Sequence, residues 1–205
     1  MANSASFQHL GSFSDLVDYV QMVRVSEERY SRENLSQRIG DVLAIGVGTP
    51  EAQDLRVHST WSNRGLRCEE VSWSVGYGPR TSSWVLRPDN HAERLPGVLA
   101  LHGHDGVKWY GKEKIADGIG PTEARVSRLR EQLYEGRAFA NVLAAEGFVV
   151  LVHDTFLWGS RRFQFESMPR SIHELVDLWV AAENRHGRTP SIDECYDLPP
   201  VTLNI

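Results

Sequence analysis

Two groups of polar residues, each placed directly after an apolar run, have the types and spacing that chemistry requires. The first is His-Gly-His-Asp-Gly at residues 102–106, which closes an apolar run over residues 97–102. The second is His153-Asp154, which follows the apolar run Phe148–Val152. Runs that are apolar on both faces are typical of strands buried inside a helix-covered sheet, and sites in open parallel sheets form beyond the carboxyl ends of such strands. The sequence therefore predicts that the two groups lie close together.

One interpretation of the turn at residues 102–106 depends on its backbone. Gly103 and Gly106 permit the close approach by which a turn directs N–H groups toward a developing oxyanion. In this interpretation His102 is a hydrogen-bonded structural residue and not a catalyst.

A second interpretation is a metal site. His102 and His104 alternate along the chain and would face the same side, as the paired histidines of metal-dependent amidohydrolases do, and Asp105 or Asp154 would complete the ligand set. That architecture is a barrel of eight strands, and this chain has far fewer. A tight loop without chemistry is the third interpretation, and the residues alone leave all three open.

The elements that must position these residues predict an α/β fold, with N-terminal helices, an antiparallel hairpin and then a right-handed parallel βαβ unit. Residues 1–50 are expected to form the helical segment and residues 51–205 the sheet domain. The predicted elements are helices within 13–46, strands over 67–77, 81–87, 97–102 and 148–152, and helices over 122–146 and 171–186. The tail from Asp197 has no helix signal.

Composition and charge exclude several classes of function. With 41% apolar and 24% charged residues and a net charge of −5, the chain is ordinary for a soluble globular protein and has no surface suited to nucleic acid or membrane. Its two cysteines, Cys68 and Cys195, predict free thiols and neither a disulfide framework nor a zinc signature. No signal peptide and no apolar run of about 20 residues is present. We therefore expect a cytoplasmic protein.

A series of segments resembles the dienelactone-hydrolase and acetyl-xylan-esterase branch of the α/β-hydrolases. The resemblance covers roughly residues 65–165, and the predicted hairpin matches the early antiparallel strands of that fold. Its segments are Pro-Gly-Val-Leu-Ala-Leu-His-Gly-His-Asp-Gly at 96–106, Lys-x-Tyr-Gly-Lys-Glu-Lys at 108–114, Gly-Arg-Ala-Phe-Ala at 136–140 and Leu-Ala-x-Glu-Gly-Phe-Val-Val-Leu at 143–151.

The resemblance implies a role for each residue of the site. The turn after the third strand would supply one N–H of an oxyanion hole, from the backbone of His104, with Asp105 as the neighbouring possibility. The site would be lined or braced by His102, Gly103, Gly106, Asp154 and Arg161. The implied substrate is a small-molecule ester, the implied reaction is acyl transfer to water, and no metal or organic cofactor is required.

The same family places its nucleophile on a Gly-x-Ser-x-Gly elbow, followed along the chain by an acid and a histidine. Ser160 lacks the second glycine, Ser127 falls within a predicted helix, and Cys195 has an acidic setting that raises a thiol pKa. We therefore assign no catalytic residue and expect the N-terminal part of a serine-type hydrolase. The alternative is a non-catalytic subunit or binding module of a truncated or split hydrolase.

A chain of this kind would leave a strand of its sheet unpaired. We expect that the strand Phe148–Val152 lies open on one side. Because an open apolar edge recruits further strands, a second chain or self-association would then cover it.

Overall fold

The computed structural model describes residues 10–23, 39, 52–89 and 94–202. A five-stranded mixed sheet forms its centre, in the order β1-β2-β3-β5-β4. The strands are β1 (Gln53–Asn63), β2 (Leu66–Ser74), β3 (Thr81–Pro88), β4 (Gly97–Ala100) and β5 (Val149–His153). The helices are α1 (Leu16–Val23), α2 (Ala124–Leu133), α3 (Phe139–Ala145), α4 (Arg170–Arg185), α5 (Ile192–Cys195) and α6 (Pro199–Thr202).

The first three strands form two consecutive antiparallel pairs, so the predicted hairpin is confirmed as β2 and β3. β1 was not predicted, because its side chains are largely exposed and give no alternating apolar pattern. A two-residue turn joins β1 to β2, and its residues Arg64 and Gly65 have φ values of 49° and 79°. Positive φ at both central residues is what the tightest hairpin turns require.

The connection from β4 to β5 differs from the single helix expected over residues 122–146. It contains two helices, α2 and α3, because the chain passes through the left-handed region at Glu135 and Gly136, with φ values of 52° and 72°. Residues in this region cannot continue a right-handed helix. The N–H groups of Tyr134 and Gly136 both donate to the Arg130 carbonyl, which closes α2.

The prediction that the strand Phe148–Val152 lies at an open edge of the sheet was wrong. β5 lies between β3, to which it is antiparallel, and β4, to which it is parallel, so the run at 148–152 is in the interior of the sheet. The prediction followed chain order, whereas the crossover inserts β5 beside β3. The two edge strands among the described residues are β1 and β4, and β4 ends at Ala100, earlier than the predicted residue 102. Leu99 and Leu101 there are 57% and 55% exposed.

The remaining helices lie around the sheet. The helix expected over 171–186 is confirmed as α4, whereas the tail contains the short helix α6, which was not expected. Of the predicted N-terminal helices, α1 is present, and the second apolar stripe, apart from Ile39, lies outside the described residues. No helix among the described residues is long and apolar enough to cross a membrane.

Two clusters of buried side chains form the core. The first lies on the sheet and under α3, and the second joins α4 to the two short C-terminal helices. Cys68 belongs to the first cluster and Cys195 to the second, and both are free thiols, as expected. The segment before α1 is anchored by Phe13, which is fully buried and packs edge-to-face on Phe156 and Phe163.

Candidate functional site

The loops after β4 and β5 lie side by side, which confirms the predicted proximity of the two polar groups. Thr155 Oγ1 lies 3.1 Å from Nε2 of His102, and the indole N–H of Trp158 donates to the carbonyl of His104 at 3.3 Å. The turn after the fourth strand of the chain is therefore held by the loop that follows the fifth.

His102 is engaged through both ring nitrogens. The backbone N–H of Thr155 donates to Nε2, so Nδ1 carries the proton and donates to the carbonyl of Gly103 at 3.0 Å. The side chain is buried, and burial lowers the pKa of His102. A neutral, buried and doubly bonded imidazole therefore connects the two loops.

Lys114 fixes the direction of the peptide units in the turn. Its side chain is fully buried, and Nζ donates to the carbonyl oxygens of Gly103 at 3.1 Å and of His104 at 3.0 Å. No described peptide bond is cis, and in a trans unit the C=O and the following N–H point in opposite directions. The N–H groups of His104 and Asp105 therefore both point away from Lys114. Neither donates to an acceptor within the described part of the chain.

A second set of bonds holds the rest of the turn. The N–H of Gly103 donates to the Tyr134 hydroxyl at 3.0 Å, and this hydroxyl donates to Asp105 at 2.6 Å. Burial and then the Asp105 hydrogen bond raise the pKa of Tyr134 to about 12, so the hydroxyl remains a donor. The N–H of Gly106 donates to Nδ1 of His104 at 3.1 Å. The two bonded N–H groups thus flank the two that are free.

Backbone conformation and space explain the residue types in the turn. Asp105 and Gly106 have φ values of 55° and 68°, which bend the chain sharply after His104. A Cβ at Gly103 would meet the Asp105 carboxylate and the Tyr134 hydroxyl at about 2.5 and 3.0 Å. Glycine is therefore needed at 103 for close approach and at 106 for a left-handed backbone.

Asp154 anchors the second loop. Its side chain is fully buried and accepts the N–H of Lys112 at 2.8 Å, the Lys112 ammonium at 3.0 Å and the N–H of Ser160 at 2.9 Å. Burial raises the pKa of Asp154, but Lys112 and the backbone donors outweigh it, so the net pKa is lowered.. Gly111 and Gly159 leave no room for a Cβ beside this carboxylate. An aspartate held in this way braces the loops and is not free to act as a base.

Arg161 lies at a different place from the turn. Its guanidinium donates to the Pro79 carbonyl at 3.0 Å and to Thr81 at 3.1 Å, and it packs against the rings of Phe13 and Tyr77. Burial lowers the pKa of Arg161. Its contacts fix the loop after β5 to the β2–β3 connection, and none of them reaches residues 102–106.

The geometry does not favour the metal interpretation. No group of three or more His, Cys, Asp or Glu side chains in the described ranges is placed to hold a metal ion. His102 is committed through both nitrogens, and Asp154 is committed to Lys112 and Ser160.

The nucleophile candidates of the sequence are occupied or remote. Ser160 accepts the N–H of Ser82 at 3.1 Å, and burial, followed by two neighbouring acidic residues, raises the pKa of Cys195, as expected. A serine–histidine pair that the sequence did not indicate is Ser72 with His58, at 2.7 Å. Ser72 lies within β2 and not on a strand-to-helix elbow, and Arg80 also donates to its hydroxyl at 2.9 Å.

The lysines of the segment at 108–114 were noted in the sequence without a role in the turn, and Tyr134 was not predicted to take part in the site. A signal was available, because the 22 basic residues include three lysines, Lys108, Lys112 and Lys114, which all fall within seven positions. All three are buried, with exposed fractions of 2%, 5% and 0%. Lysine is among the residue types least often buried, so three buried lysines beside one turn indicate a constructed site.

No protein-family model matches this chain, and no curated protein matches it. A solved structure from Bacteroides fragilis, provisionally assigned as an acetyl xylan esterase, is similar to it with a TM-score of 0.47 and 16% sequence identity. The match covers 91% of this chain and 48% of that chain, so this chain spans about half the length of that protein. At this degree of superposition the similarity carries no argument about function.

Proposed function

We propose that the turn at residues 102–106 forms part of the oxyanion hole of a serine-type carboxylic ester hydrolase with an α/β-hydrolase sheet. One observation carries the proposal: Lys114 binds two consecutive carbonyl groups, so the N–H groups of His104 and Asp105 both point away from it, and neither has an acceptor among the described residues. Paired N–H groups of this kind stabilise the negative charge that develops on a carbonyl oxygen during acyl transfer.

The proposed reaction is the hydrolysis of a small-molecule ester. A serine oxygen forms a bond to the ester carbonyl carbon while a histidine takes its proton, and the carbonyl electron pair moves onto the oxygen. The N–H groups of His104 and Asp105 would donate to that oxygen. Because Lys114 and Tyr134 already hold the turn without substrate, these donors need little reorganisation during the reaction.

The remaining residues of the site position this turn. His102 connects it to the second loop, Gly103 permits its close contact with Tyr134, and Gly106 permits its bend. Asp154 braces the second loop through Lys112, and Arg161 fixes the far end of that loop. None of these side chains is proposed to bond to the substrate.

We place the serine, acid and histidine of the reaction outside these 205 residues. This is supported by the commitments of Ser160 and Ser72 described above and by the lack of a strand-to-helix serine elbow among the described residues. The turn would then contribute to a site that another segment or chain completes.

The test compares the chain of 205 residues with a product extended by whatever reading frame follows codon 205. Both are treated with a fluorophosphonate probe and assayed with p-nitrophenyl acetate. We expect no serine labelling within residues 1–205, and labelling with ester hydrolysis in the extended product. Labelling of a serine within residues 1–205 would overturn the placement of the nucleophile.

The second candidate is a non-catalytic subunit or binding module derived from such a hydrolase. It is favoured by the same lack of an available nucleophile among the described residues. An extended product that lacks a Gly-x-Ser-x-Gly segment and hydrolyses no ester would support this candidate over the first.

A further inference from the structure

Lys108 differs from the other two lysines in having no bonding partner. Lys112 pairs with Asp154 and Glu113, and Lys114 donates to two carbonyl groups. The Lys108 amine has neither a carboxylate in ion-pair range nor a hydrogen-bond acceptor within the ranges that the structure describes. Its recorded contact is the face of Trp158, with Nζ 4.9 Å from the ring centroid.

The amine of Lys108 is desolvated but still accessible. The residue is 2% exposed. Some polar side-chain atoms of the described residues are fully enclosed and have no hydrogen-bond partner. They belong to Trp61, Arg161 and Arg162. Because Lys108 Nζ is not among them, the small accessible part of the residue includes its amine.

This environment destabilises the ammonium form of Lys108. An ammonium that loses water gains stability only from anions or acceptors, and none is provided here. The face of Trp158 gives only a limited cation–π attraction. Burial accordingly lowers the pKa of Lys108 to about 8.

The location of the amine links it to the turn. The ring of Trp158 contacts the Lys108 amine. The indole N–H of Trp158 also donates to the His104 carbonyl, and its ring lies 5.0 Å from the His104 imidazole. Lys108 itself accepts the N–H of Gly159 through its carbonyl, which fixes its backbone to the second loop. The amine is therefore held on a defined backbone, beside residues 102–106.

We propose that Lys108 is a covalent carbonyl-binding site, at which its amine condenses with an aldehyde or ketone to form an imine. This proposal does not depend on the ester-hydrolase proposal, because it uses neither the oxyanion donors nor a serine.

The reaction needs no oxidant or reductant. The nitrogen lone pair forms a bond to the carbonyl carbon, the carbonyl π electrons move to oxygen, and a proton passes from nitrogen to oxygen to give a carbinolamine. The hydroxyl then leaves as water with the remaining N–H proton, and the nitrogen lone pair forms the carbon–nitrogen double bond. A lysine desolvated in an apolar setting is a known means of activating an amine for this chemistry.

The test uses benzaldehyde with the chain of 205 residues, followed by borohydride reduction of any imine and peptide mapping. The competing amines are few: Lys112, Lys114 and the α-amino group. At pH 7.5 we expect adduct on Lys108, with a midpoint near pH 8, and none on Lys112 or Lys114, whose amines are bonded. In the urea-unfolded chain, all three lysines should react alike.

Lys108→Arg provides the control, since arginine keeps the charge and the long stem but cannot form the imine. Its fold is checked by circular dichroism, and the α-amino adduct serves as an internal standard. We expect complete loss of the lysine adduct in this variant. The proposal is overturned if the native chain gives no adduct on Lys108, or if adduct is spread equally over the three lysines.

Discussion

Replacing Lys114 with methionine should loosen the turn at residues 102–106, and it leaves the Asp105 carboxylate, whose side chain is 13% exposed, without the ammonium that lies 3.5 Å from it. The variant loses two hydrogen bonds from a charged donor, each contributing about 1.5–3 kcal/mol. The loss is partly offset, since the Gly103 carbonyl keeps its bond from His102 and the His104 carbonyl keeps its bond from Trp158. Methionine also avoids the cost of burying an ammonium. We therefore expect the free energy of unfolding to fall by about 1–3 kcal/mol.

Lys112→Met is the matched control, because it makes the same change two residues away with a different consequence. It removes the ammonium from Asp154, whose side chain is fully buried, and breaking a buried ion pair on one side costs about 3–5 kcal/mol. Urea unfolding measures both variants. The reasoning fails if Lys114→Met costs as much as Lys112→Met, or if it costs nothing.

Three further outcomes follow from the geometry. Gly111→Ala should destabilise the protein by about 1–3 kcal/mol because its Cβ would overlap Asp154, whereas Gly97→Ala, which has open space around it, should not. Equal melting temperatures of the two variants would contradict this. The free energy of unfolding should rise from pH 8 to pH 9, because Lys108 and Lys114, each with a pKa of about 8, bind fewer protons in the folded than in the unfolded chain. A urea midpoint that falls over this range would contradict the prediction. The chain should self-associate through the outer edge of β4, and Leu99→Lys should shift it toward monomer. Light scattering measures both chains, and a native chain that is as monomeric as the variant would refute the pairing.

Much of the sheet was predictable because its strands carry strong local patterns. β5 is apolar on both faces and β2 alternates, and both were found close to their observed bounds. β1 was missed, since it lies at the outer edge of the sheet with mostly exposed side chains. The order of β4 and β5 could not be read from the chain, because pairing of β5 with β3 depends on contacts between residues far apart in sequence.

The backbone turn of the candidate site was predictable from the sequence, whereas the side chains that hold the turn were not. The glycines and histidines of residues 102–106 indicated the turn. The role of Lys114 was not visible, because a buried lysine is stable only where the fold supplies acceptors, here the carbonyl groups of a turn ten residues earlier. Asp154 was named as lining the site, but its partner Lys112 lies 42 residues away in the chain.

The central claim is that the N–H groups of His104 and Asp105 point away from Lys114 and have no acceptor among the described residues. It is tested most directly by following the backbone amide signals of the chain by NMR while phenylphosphonate, a tetrahedral oxyanion, is added. We predict that the amides of His104 and Asp105 shift together and saturate, while those of Gly103 and Gly106, which already donate to Tyr134 and His104, do not. Equal shifts at all four amides, or none at His104 and Asp105, would contradict the account.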